Sequence, residues 1–243
     1  MDLGIRGKTA LVCASSKGLG KGCALALATE GVDLVINARS SGPLEETADE
    51  LRALGVSVTP VACDVTTPEG QAQVLEAAGE IDILVTNAGG PPPGLWSDWV
   101  RDDFIAALDA NMLTPIALIK ASLPSMMAKG WGRVVNITSQ SVKAPGYVAG
   151  TARQVAEAGV TINNLLPGIH ATDRADALDG GVVAAQGITL DAARAQRQAT
   201  IPARRYGTLE EFGAVCAFLC SQHAGFIVGQ NILLDGGGTN ATI

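Results

Sequence analysis

The residues best suited to chemistry lie near the N-terminus, in Ser15-Ser16-Lys17-Gly18-Leu19-Gly20. Two glycines one residue apart allow a tight turn and let a ligand approach the backbone. An apolar run at 9–13 reads as a buried strand before the turn, and 20–30 reads as a helix with small residues on one face. A helix that starts at such a turn aims its free N–H groups and positive dipole end at an anion. The chemistry that fits is phosphate binding, in the context a dinucleotide site needs; a purely structural turn is the other reading.

The next expected strand, 33–37, runs into Ala38-Arg39-Ser40. A site for an unmodified ribose would place an acid here to hold the 2′-hydroxyl. Ala38 stands at the acid's position, Arg39 follows directly, and Lys17 lies in the phosphate turn. Guanidinium and ammonium groups attract a 2′-phosphate that a carboxylate would repel, which favours NADP over NAD. If Arg39 and Lys17 are solvated surface charges, that preference lapses.

These residues need a scaffold. Further strands are expected at 56–63, 81–86, 133–137, 160–165 and 231–234. Helices are expected at 43–54, 69–78, 210–220 and, as one or two long helices, within 99–129. Continuous apolar strands alternating with helices imply a parallel α/β sheet covered on both faces. No composition shift marks a second domain, so 1–243 reads as one. The stretch 169–202, rich in Ala, Asp and Gly, reads as a helical excursion over one sheet edge, of the kind that forms lids.

Composition narrows the class. With 47% hydrophobic residues the chain has the means to bury a core, and a net charge of −7 argues against a nucleic-acid partner. No uninterrupted apolar run reaches the roughly 18 residues that span a bilayer, so no membrane partner is expected. Met1-Asp2-Leu3-Gly4-Ile5-Arg6 lacks the basic-then-apolar layout of a signal peptide. Five cysteines, an odd number with no CxxC pair, read as reduced buried thiols of a cytoplasmic protein; Cys216 and Cys220 alone make no metal site, and none is expected.

Over nearly its whole length the sequence resembles the short-chain dehydrogenase/reductase family, specifically its 3-oxoacyl-carrier-protein reductase-like branch. Ala14 through Gly20 matches the family's Gly-xxx-Gly-x-Gly turn, with Ala14 in place of the first glycine. Cys63-Asp64-Val65 matches the adenine-contacting Asp, Asn87-Ala88-Gly89 the motif after the fourth strand, Pro167-Gly168 the nicotinamide-side turn, and Asp235-Gly236-Gly237 the usual ending. The resemblance implies a Rossmann-type doubly wound sheet and a cofactor site built from Ser15, Ser16, Lys17, Gly18, Leu19, Gly20, Arg39, Asp64, Val65, Asn87, Ala88, Gly89, Pro167 and Gly168. It implies hydride transfer to or from a small carbonyl or alcohol substrate, and a homo-dimer or homo-tetramer. The apolar stretches 218–229 and 232–234 suit such an assembly.

The same resemblance assigns catalytic roles to Ser139, which would hydrogen-bond the substrate oxygen, and Asn111, which would keep a proton-relay water or simply satisfy a helix kink. The family's Tyr-xxx-Lys pair has no counterpart. Tyr147 follows Ser139 by eight residues, short of the family's spacing, and Thr151 stands four residues later. Tyr206 lies well past the site. Only 24 residues separate Ser139 from Asn163, enough to close a parallel crossover over a shortened helix near 148–158. Two explanations stay open: the chain lacks the segment, or residues are skipped, in which case neighbouring Cα atoms somewhere between Lys143 and Ala149 stand more than about 3.8 Å apart. Accordingly two functions stand side by side, an active reductase and a non-catalytic dinucleotide-binding protein. Trp96, Trp99 and Pro91-Pro92-Pro93 line an apolar pocket or belong to the core.

Overall fold

The computed structural model describes residues 1–89, 100–138 and 146–239, with the backbone alone at 146–149. Among these residues seven strands form one parallel sheet in the order β3-β2-β1-β4-β5-β6-β7. The strands are β1 (Thr9–Val12), β2 (Asp33–Ala38), β3 (Val58–Ala62), β4 (Ile83–Thr86), β5 (Gly132–Ile137), β6 (Val160–Pro167) and β7 (Asn231–Leu234). Each lies within three residues of the stretch its apolar run predicts. Pro60 has no N–H to give a ladder, and β3 is accordingly an edge strand.

Alternate residues of each strand feed opposite faces. Ala10, Val12, Leu34, Ile36, Ile83 and Val85 pack beneath α1 (Gly18–Thr29), α2 (Ser41–Arg52) and α9 (Leu209–Leu219). Leu11, Val35, Leu84, Val134 and Ile162 pack beneath α3 (Pro68–Ala78), α5 (Thr114–Lys129) and α6 (Gly146–Val155). Helices on both faces make this the doubly wound α/β sheet that the apolar strands imply. Cys13, Cys23, Cys216 and Cys220 are buried and Cys63 half-buried, none in a disulfide.

The long helical stretch is more irregular than its pattern suggests. A short α4 (Arg101–Leu108) passes through a widened π turn, Asp109–Leu113, into α5. Together Arg101–Lys129 is long and apolar enough to cross a membrane by length and composition, with a window of mean hydropathy 1.4. Isolated charges break its apolar run while the average stays high, so no unbroken span of about 18 residues marks it. In the fold, Leu118, Ile119, Leu123 and Met126 bury one side of α5 against the sheet, while Phe104, Ile105, Leu108, Met112 and Leu113 remain exposed.

Between β6 and α9, the 169–202 stretch forms two helices, α7 (Asp173–Gln186) and α8 (Leu190–Ala199). Both start on threonine caps: Thr172 accepts from the Ala175 N–H at 3.3 Å and Thr189 from Ala192 at 3.2 Å. Asp179 on α7 is fully buried and ties the pair together. Its two oxygens share the single Tyr206 O–H, each 3.0 Å from it, and it pairs with Arg197 of α8 at 3.2 Å. Burial and the neighbouring carboxylate push the Tyr206 phenol above its ordinary pKa, so it stays a donor.

A buried carboxylate removed from its partners leaves them unpaired, which costs more than the net worth of the contact. Asp179→Ala is expected to destabilise the protein by about 3 kcal/mol and Tyr206→Phe by about 1.5 kcal/mol in urea unfolding. A loss under about 1 kcal/mol for Asp179→Ala would show that the network does not hold the helices.

Candidate cofactor and active site

The phosphate turn leaves β1 at Val12 and re-enters structure at Gly18. Ser15 fixes it to the end of β2: its N–H donates to the Asn37 carbonyl at 2.9 Å, and its buried hydroxyl donates to Val12 at 2.9 Å. That hydroxyl is therefore spent on the backbone, and Ser15 shapes the turn rather than facing a ligand. Thr47 of α2 donates to the Ser16 carbonyl at 3.0 Å and holds the outer side.

The turn's geometry is that of a close-approach cradle. Gly18 has φ +60°, and a Cβ on Gly20 would stand 2.3 Å from the Ala14 carbonyl oxygen. The first turn of α1 carries no acidic residue, and its N-cap, Lys17, makes no side-chain cap. The N–H groups at this helix end are left for a ligand, as a diphosphate requires. Ala14 adopts φ +48°, the left-handed region that explains why the family uses glycine there. The turn forms with alanine all the same, but at a strain cost.

At the end of β2, Arg39 is exposed and has no hydrogen-bond or ion-pair partner among the described residues. Asp64 is exposed after β3; hydrogen bonds from the Thr66 N–H and hydroxyl, at 3.0 and 2.7 Å, hold its carboxyl below the usual range, and Arg39 adds to this. Val65 beside it is buried. After β4, Asn87 donates to the Ala14 carbonyl at 3.3 Å, closing the turn from the other side, with Ala88 and Gly89 following. Pro167 ends β6, and the Gly168 N–H donates to Leu234 at 2.8 Å. The motifs thus gather at the C-terminal ends of the strands. Lys17 is the departure: its ammonium does not lie free for a phosphate but pairs with Asp173 at 2.8 Å.

Asn111 sits in the π turn and donates from Nδ2 to the Ala107 carbonyl at 3.0 Å, satisfying the kink. It also lines a small cavity of about 70 Å³ with Asn87, Ile116, Asn136, Thr138 and Asn164. Below that cavity runs a row no motif announces. Thr86 donates to Asn136 at 2.8 Å, Asn136 to Asn164 at 3.2 Å and Asn164 to Asn231 at 2.7 Å, crossing from β4 to β7 in register. The sequence signal was only a polar residue inside four apolar strands.

Ser139 lies outside the described residues, as do Trp96, Trp99 and Pro91-Pro92-Pro93. The break expected between Lys143 and Ala149 falls outside them up to Pro145; from Gly146 onward the backbone is helical. Tyr206 donates its hydroxyl to Asp179 and lines the cleft that α7 and α8 border with Gly18.

A family model described as enoyl-(acyl carrier protein) reductase matches residues 13–239. The chain belongs to the short-chain dehydrogenase/reductase family. It is 32% identical to the 3-oxoacyl-[acyl-carrier-protein] reductase of Vibrio cholerae over 97% of this chain and 98% of that protein. It is also 32% identical to an NADPH-dependent reductase of Bacillus subtilis, covering 95% and 97%. The L-sorbose reductase of Gluconobacter frateurii, solved with NADPH and L-sorbose, superposes with a TM-score of 0.93 at 27% identity over all of both chains. The Vibrio alignment runs over 254 positions while using 97% of 243 residues, about 236, so it holds about 18 positions this chain lacks.

The strain at Ala14 and the contact at Gly20 predict opposite outcomes. Ala14→Gly should stabilise the protein by about 0.5–1 kcal/mol, the relief of a left-handed alanine less the added chain entropy. Gly20→Ala should push the helix off Ala14 and weaken nucleotide binding at least about tenfold, equivalent to 1.4 kcal/mol. Thermal melts and nucleotide titration check both; a Gly20→Ala protein that binds normally would remove the cradle from the site.

Proposed function

We propose that this chain is an NADP(H)-dependent oxidoreductase that interconverts a carbonyl and an alcohol. The observation that carries the reading is the start of α1, uncapped, free of acids and pressed against Ala14, with Arg39 and no carboxylate at the end of β2. NADPH in the names of the Bacillus and Gluconobacter relatives supports the same cofactor. When bound, the nicotinamide gives or takes the hydride. The chain's part is to hold it: α1 takes the diphosphate, Arg39 the 2′-phosphate, Asp64 the adenine side, and the Asn87–Gly89 and Pro167–Gly168 turns flank the nicotinamide end. Ser139 would hold the substrate oxygen, and Asn111 lines the cavity with Thr138. Among carbonyls we favour a 3-oxoacyl substrate, on the Vibrio relative. We read 1–243 as one domain with the α7–α8 pair as its lid, since that pair adds no strand of its own and borders an open cleft of about 520 Å³ with Gly18.

A second reading has an observation of its own. Of the two tyrosines, Tyr206 is bound to Asp179 and Tyr147 has threonine four residues on, so no Tyr-xxx-Lys acid is available. That favours a protein that binds the dinucleotide without turning it over. NADPH oxidation measured against a panel of carbonyls, 3-oxoacyl thioesters included, separates the two: turnover supports the reductase, and tight binding without turnover the second reading. For the cofactor, NADPH should bind more tightly than NADH and Arg39→Asp should reverse the order; equal affinities in calorimetry would refute the assignment.

The chain is also expected to assemble as a dimer or tetramer, in the cytoplasm given its thiols, none in a disulfide. The surfaces that support assembly are the edge strand β7, the fully exposed Phe226 with Phe218, and the apolar side of α4 and the π turn. Light scattering at micromolar concentration should give two or four chains per particle; a stable monomer contradicts this.

A further inference from the structure

We propose that Asp173 sets the cofactor selectivity of this site by holding Lys17 in an ion pair that a 2′-phosphate must displace; this rests on the NADP(H) reading above. Lys17 occupies the tip of the phosphate turn, and its Nζ lies 2.8 Å from Asp173 Oδ2 at the first residue of α7. The two segments adjoin, since a Cβ on Gly18 would lie 3.9 Å from the Thr172 methyl group. In the strand order β2 and β6 lie on opposite sides of β1, with β4 and β5 between β1 and β6. With strands about 4.8 Å apart, four steps separate them by on the order of 19 Å. A 2′-phosphate held at Arg39 and a carboxylate at the start of α7 therefore compete for one ammonium.

Which partner wins follows from charge and exposure. The Lys17 and Asp173 side chains are 70% and 73% exposed, so their attraction is screened and weak. The hydrogen bond from Lys17 holds the Asp173 carboxyl below its usual pKa, so Asp173 keeps its charge at neutral pH. A phosphate monoester brings nearly twice the charge and three acceptor oxygens. It takes the ammonium, but the affinity gained is reduced by the pair it breaks. NADH, with no 2′-phosphate, leaves the pair in place. Asp173 thus lowers the preference for NADPH, and NADPH binding uncouples α7 from the phosphate turn.

Calorimetric titration of NADPH and NADH into wild type, Asp173→Asn, Lys17→Met and the double variant tests this. Asp173→Asn should raise the NADPH:NADH affinity ratio about two- to five-fold, the range of an exposed ion pair. Lys17→Met should lower that ratio, and adding Asp173→Asn to it should change nothing. Asp173→Ser, which keeps a small polar residue in the first helical turn, should behave as Asp173→Asn does. A purely structural role for Asp173 would shift both nucleotides equally, and that result overturns the proposal. So does a ratio that rises as much in the Lys17→Met background, which would signal direct repulsion of the phosphate. Wild type that binds neither nucleotide refutes the cofactor reading itself; wild type that prefers NADPH by a ratio Asp173→Asn does not move refutes this inference alone.

Discussion

The site depends on one steric fact: α1 begins so close to the Ala14 carbonyl that residue 20 can carry no side chain. That approach aims the helix's N–H groups at the end of β1, and the rest of the cofactor cleft is arranged around it. The same helix is fixed from behind, where a Cβ on Gly213 of α9 would stand 2.3 Å from the Gly22 carbonyl oxygen. Backbone contacts at both positions leave little play, so the start of α1 is held in place whether or not a ligand is bound. Ala14 shows how strongly the contact is enforced: the turn keeps its left-handed residue even where that residue is alanine.

The floor of the site follows a different logic. Thr86, Asn136, Asn164 and Asn231 stand abreast on four strands because the parallel register aligns them, and each amide satisfies the next. A buried polar row is costly unless complete, and here each link is made. None of these groups titrates near neutrality. Where Asn87, Asn111 and Thr138 join them around the cavity, the described lining can orient an oxygen by hydrogen bonds but supplies no proton of matched pKa.

The fold was legible because it is written in local signals: apolar runs of strand length, glycines at one turn, threonine caps. β7 matches its predicted bounds, and helix starts differ by one to two residues at α1, α2, α3 and α9. The grouping of the motifs we propose for the cofactor was legible for the same reason, since they sit at strand ends and a parallel sheet brings those ends together. What could not be read depends on distant residues meeting. Lys17 and Asp173 are 156 positions apart, and Asp179 and Tyr206 meet only because two helices fold back on a turn. The π turn at Asp109–Leu113 escaped too, because one extra residue in a helical turn barely alters the apolar period.

The short crossover between β5 and β6 separates what the fold needs from what the chemistry needs. Joining two parallel neighbours requires a connection of about a dozen residues or more, most simply a helix on the sheet. The ten residues of α6 span about 15 Å, against about 20 Å for the six-residue β5 beneath, so they cover most of its length. Ala152 and Val155 are buried on that face with Val134, Val160 and Ile162, and the core there is closed. A shortened helix therefore does not by itself expose the sheet. The family's general acid, by contrast, belongs to the start of that helix, the end nearest the cofactor. A loss of residues there would preserve packing and topology while removing the acid, because the fold needs the buried half of this helix and the chemistry needs its start.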